Sequence, residues 1–122
     1  MSAIVWWLRS RSHSRDAVVL ALRDAFERSD ARAVSVLLAP GSTVVVDSGS
    51  EPSAGRGSGE TASALIAAVG GEVTVCSVNG QQGLLARRGG QVVAIVNLRI
   101  RRGRVRAAWV TTNPQKLKPW NL

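Results

Sequence analysis

The sequence predicts an α+β domain, with helices grouped ahead of an antiparallel sheet. Three observations predict it. Apolar residues recur at helical spacing until about Val69. From Val73 onward the period becomes two. Three turn dipeptides, Asn79-Gly80, Gly89-Gly90 and Arg102-Gly103, then cut the chain into four β-prone runs. At 122 residues the chain is one domain long, enough to bury roughly two thirds of its unfolded surface without staples.

The elements follow in order. Residues 1–13 read as an N-terminal appendage, in which Trp6 and Trp7 are exposed unless something covers them. Residues 14–122 form the domain. A helix starts at Ser14 and buries Val18, Val19, Leu22, Ala25 and Phe26. Asp30 caps a second, short helix with Ala33, Val34, Leu37 and Leu38 inward, and Pro40-Gly41 ends it. Thr43 to Val46 is a short β-branched strand leading to Asp47. Residues 48–59, SGSEPSAGRGSG, hold no large hydrophobe and read as a long loop. A third helix from about Glu60 to Val69 stops at Gly70-Gly71. The meander strands are about 72–78, 81–88, 91–101 and 104–112.

Composition narrows the function classes. The single Cys76 has no disulfide partner within the chain and reads as a small core residue, in keeping with a reducing cytoplasm. The apolar stretch Ala3 to Leu8 is far shorter than the ~20 residues of a membrane span. Arg9 and Arg11 follow it, the reverse of a secretory signal. The expectation is a soluble, cytoplasmic protein without membrane contact. Charge is uneven: residues 1–72 carry seven Arg and eight acids, whereas residues 73–122 carry seven Arg, two Lys and no acid. A basic half of this kind suits an acidic protein partner or a weak nucleic-acid contact, or serves solubility alone. Tyr is absent and aromatics are few, which limits base stacking.

The stretch VNGQQGLLARRGGQVVAIVNLRIRRGRVRAAWVTTNPQKL, ending in Asn113-Pro114-Gln115-Lys116-Leu117, resembles the SnoaL-like domain at the C-terminus of the sigma-factor-J-like extracytoplasmic-function sigma factors. In that group the final strand runs into an Asn-Pro-Asp-Lys-Leu motif; here Gln115 replaces the Asp. A degraded counterpart of the group's Asp-Gly-Gly-Gly-Lys-like motif stands at Asp47-Ser48-Gly49-Ser50. The resemblance covers about residues 15–118. It implies a cone-shaped, nuclear-transport-factor-like fold, with helices packed on a curved antiparallel sheet around a pocket. The sigma factors' two promoter-binding regions have no room here, so a stand-alone module is expected.

The wider fold family includes polyketide cyclases, ketosteroid isomerases and limonene-epoxide hydrolases, all of which need acid–base residues in the cone. His13, the only histidine, precedes the domain and reads as an exposed polar residue. No carboxylate follows Glu72, so a paired-Asp site lacks its acids. The absence of Tyr removes the isomerase pairing. No Cys-x-x-Cys, His cluster or phosphate-binding glycine loop appears, and no metal or cofactor is expected. No catalytic residue is assigned.

The expected ligand-binding residues are Asp47 at the mouth, Trp109 facing the pocket with Val105 and Ala107, and Val96 and Leu98 beside them. Their ligand would be small and apolar. A two-residue turn at Arg102-Gly103 pairs Arg101 with Arg104 and Arg99 with Arg106, giving a basic patch on one outer face: either a solvated surface or an interaction site. Further along the same face Ile95, Asn97 and Val110 are the expected homodimer contacts. The leading reading is a non-catalytic binding or regulatory module. The rival readings are a small-molecule isomerase, cyclase or hydrolase, and a polymerase or nucleic-acid interaction module.

Overall fold

The computed structural model describes residues 3–50, 53–56, 58–69 and 71–121; the side chains of residues 3–14 and 53–58 lie outside that description. The readings of Trp6, Trp7 and His13 therefore fall outside the described residues. In chain order the elements are α1 (Ala3–Glu27), α2 (Ala31–Leu37), β1 (Leu38–Asp47), β2 (Ser53–Arg56), α3 (Ser58–Ala68), β3 (Glu72–Val78), β4 (Gln81–Arg88), β5 (Gln91–Arg101), β6 (Arg104–Thr111) and α4 (Pro114–Leu117). A closing 3-10 turn spans Lys118–Asn121.

One six-stranded sheet runs β2-β1-β6-β5-β4-β3. The four meander strands pair antiparallel as expected, but β1 lies parallel to β6, so the sheet is mixed. Each meander turn has positive φ at both central residues: Asn79 and Gly80 at 51° and 80°, Gly89 and Gly90 at 59° and 79°, Arg102 and Gly103 at 55° and 76°. That backbone twist matches the flanking strands, which is why these dipeptides make tight hairpins. Gly71, at φ 89°, admits no side chain, because a Cβ there would collide with the Arg87 carbonyl.

Helices α1, α2 and α3 pack on the sheet's inner face. Val18, Val19, Leu22, Ala25 and Phe26 of α1 are all buried, as their spacing predicts. They meet Val34, Leu65, Leu84, Val96, Leu98, Val105 and Val110 in one apolar cluster. Asp30 caps α2 by accepting the Ala33 N–H at 3.0 Å.

Three boundaries differ from the sequence reading. α1 begins at Ala3 rather than Ser14, since no Pro or Gly interrupts residues 3–27. β1 begins at Leu38 and carries Pro40-Gly41 within it, where its register against β6 shifts between Leu38 and Thr43; Pro is tolerated at such an irregularity. The expected loop contains β2, whose Ser53–Arg56 pair with Val46–Thr43. An edge strand built on backbone bonds needs no large side chain.

Candidate functional site

A bulge in β6 decides which residues share a face. Arg101 stands opposite Arg104 as expected, but the register shifts and Arg99 faces Ala107, not Arg106. The extra residue spares the ladder a second like-charge pair. It also reverses the alternation beyond it. Trp109 points away from the helices and is 46% exposed, while Val110 turns inward at 1%. Trp109 therefore does not face the interior with Val105, and Val110 is core rather than a dimer contact. Val96 and Leu98 do face inward, but at 0% and 5% exposure they are packed within the core. The four expected ligand residues divide between the two faces.

Ile95 lies on the outer face, yet it is only 5% exposed. Leu117 of α4 folds back over it, in a second apolar cluster with Val78, Leu85 and Val92, and half-buried Cys76 packs against this group. Burial pushes the Cys76 thiol up, with Arg87 pulling weakly the other way. Of the expected dimer contacts, only Asn97 is left partly accessible on the outer face.

Asp47 ends β1 and holds this fold-back in place. Its carbonyl accepts the N–H groups of Thr112 at 2.8 Å and Asn113 at 3.1 Å. Its carboxylate accepts the Gly49 N–H at 3.1 Å and pairs with the Lys116 ammonium. The Lys116 bond, followed by the Gly49 N–H, holds the Asp47 carboxyl below its ordinary value of 3.8. Asn113 caps α4 by accepting the Gln115 N–H at 3.1 Å, with Pro114 in the first helical turn. Beyond α4, Asn121 accepts the Val92 N–H at 2.7 Å and donates to the Val92 carbonyl at 3.1 Å. The β5–β6 ladder has already ended at Ile95 and Thr111, so this side-chain amide takes the place of a strand.

The two sequence motifs, at Asp47 and at Asn113–Leu117, are thus halves of one latch. Lys116 and Leu117 entered the sequence reading only as motif letters without a role, and Asn121 not at all. The signal for the first two was the motif itself, whose residues serve in turn as cap, first-turn proline, ion-pair partner and apolar plug.

One cleft opens beside the latch and another away from it, toward Arg101. One, of about 570 Å³, lies between the start of β5 and the tail, lined by Val92, Val93, Pro114, Leu117 and Lys118 among others. The other, of about 500 Å³, opens where β4 and β5 part and is bordered by Arg15, Gln81, Asn97, Arg99, Arg101 and Trp109. The four patch residues Arg99, Arg101, Arg104 and Arg106 are exposed, and none is salt-bridged to a carboxylate among the described residues. Among the described residues no group of three or more His, Cys, Asp or Glu could hold a metal, and no helix is long and apolar enough to cross a membrane.

The strand order, with α1, α2 and α3 on one face, defines a nuclear-transport-factor-like, SnoaL-like α+β fold. Solved structures agree. The extracytoplasmic function sigma factor SigJ of Mycobacterium tuberculosis matches with a TM-score of 0.59 and 26% identity, over 84% of this chain and 44% of its own. The chain thus spans less than half of that sigma factor. An NTF-2-like protein of unknown function from Burkholderia xenovorans matches with a TM-score of 0.63 and 13% identity, over 93% and 97% of the two chains. A steroid delta-isomerase of Pseudomonas aeruginosa gives 0.59 and 19%, over 85% and 82%. No protein-family model and no curated protein matches the chain.

Proposed function

We propose that this domain is a non-catalytic binding or regulatory module. The state of Asp47 carries the reading. A general base works best with a pKa near the operating pH. Asp47 is shifted the other way by Lys116 and Gly49, and its carboxylate ties β1 to α4. Val96 and Leu98, assigned to a pocket from the sequence, are fully engaged in packing. A small apolar ligand is better served by the cleft beside Val92, Val93, Pro114 and Leu117. A homodimer through the outer face is weakened by the covered Ile95 and the inward Val110, which leave only the cross-strand row of Val45, Trp109 and Asn97.

The test is turnover of ketosteroid, epoxide and polyketide substrates by the wild-type chain and by Asp47→Asn. The expected result is no turnover that depends on Asp47. Activity present in the wild type and lost in Asp47→Asn would replace the module by an enzyme.

A further inference from the structure

The cleft between β4 and β5 is a place where the sheet leaves itself unfinished. The β4–β5 ladder stops at the pair Leu84–Val96, although both strands continue. Beyond it β4 pairs only with β3, through Gln81, Gln82 and Gly83, and β5 pairs only with β6. Arg15 of α1 spans the gap: its guanidinium donates to the Gln82 carbonyl at 2.8 Å and the Leu98 carbonyl at 3.4 Å. Both bonds come from one terminal nitrogen, and among the described residues the rest of the fork has no hydrogen-bond partner and can face an anion.

We propose that this cleft binds an extended, acidic segment of a partner protein, laid along β5 from Asn97 to Arg101. Three features select that occupant. First, beyond Leu98, whose carbonyl Arg15 takes, the edge of β5 toward β4 lacks a strand neighbour, which suits an extended peptide. Second, Asn97, Arg99 and Arg101 alternate on one face, about 6.8 Å apart, the spacing of alternate side chains on an added strand. Third, Arg15, Arg99 and Arg101 all border the cleft, and residues 73–122 contain no acid to neutralise them. The Trp109 ring, also at the border, adds an apolar contact or a cation–π neighbour for the arginines. A second copy of this chain, itself carrying +8, is a poor match for the patch. A nucleic acid would use the charge but not the open strand edge, and would find one aromatic ring to stack on. The site is separate from Asp47, so its failure would leave the reading of Asp47 as it stands.

The experiment is fluorescence anisotropy of a labelled peptide of alternating Glu and Thr, titrated with the full chain at physiological salt. Arg99→Glu with Arg101→Glu should weaken binding at least about tenfold, while Arg32→Glu, on α2 and away from the cleft, should leave it unchanged. Arg99→Gln with Arg101→Gln serves if charge reversal impairs folding, and thermal midpoints confirm that each variant is folded. The proposal is overturned by no binding, by equal losses in the patch and Arg32 variants, or by equal binding of a Lys and Thr peptide. It is overturned equally by single-stranded DNA of mixed sequence that binds more tightly and displaces the peptide. A wild-type dimer in light scattering that the patch variant converts to monomer would also overturn it, by giving the surface to a second copy.

Discussion

The two ends of the sheet's outer face are built from the same strands and finished differently. Toward Ile95, the chain covers itself: Leu117 plugs the apolar cluster, Lys116 pairs with Asp47, and Asn121 completes the edge of β5. Toward Arg101, β4 departs, the arginines stand exposed without carboxylate partners among the described residues, and Trp109 keeps 46% of its surface exposed. Burial within the chain accounts for the residues of the first end. The second end has charge and ring surface that the fold does not consume, and that is where a partner has something to bind.

The largest effect separating the two ends should come from Leu117→Ala. Leu117 is 4% exposed and sits in the outer cluster, so truncation should cost about 2–5 kcal/mol in chemical denaturation. It should also uncover Ile95 and increase binding of a hydrophobic dye. A loss within about 0.5 kcal/mol would mean that the tail does not close this end in solution. A smaller effect is expected for Asn121→Ala. Two hydrogen bonds to Val92 disappear, each contributing about 0.5–1.5 kcal/mol net. The Val92 amide should then exchange its hydrogen faster, while the Leu84 and Val96 amides in the ladder keep their rates. Unchanged exchange at Val92 would show that the side chain is not substituting for a strand.

These details differ in how far they can be read from the chain. The three hairpins were legible because Asn-Gly, Gly-Gly and Arg-Gly each supply a glycine where φ is positive. The apolar face of α1 was legible from Val18 to Phe26 because helical spacing persists there. The bulge at Arg106 was not: Arg106, Ala107 and Ala108 give no local sign of an extra residue, and one slip in register sends Trp109 outward and Val110 inward. β2 escaped notice because Ser53–Arg56 include no β-branched or large apolar residue, the signal by which a strand is read. At the candidate site, Asp47 and the residues Asn113 to Leu117 were each visible as motifs. Their joining was not, since 65 residues or more separate Asp47 from Thr112 and Lys116 and no periodicity spans that distance.

Whether Asp47 is a latch or a catalyst is read most directly by NMR titration of its side-chain carboxyl carbon, in the wild type and in Lys116→Met. A carboxyl whose pKa is lowered by folding stabilises the fold above its ordinary value of 3.8, and that contribution disappears as pH falls through the folded-state pKa. Asp47 should therefore titrate below 3.8 in the wild type and move upward when Lys116 is replaced. Titration above 3.8, toward the neutral range a general base requires, and indifferent to Lys116, would contradict the latch and the non-catalytic reading together.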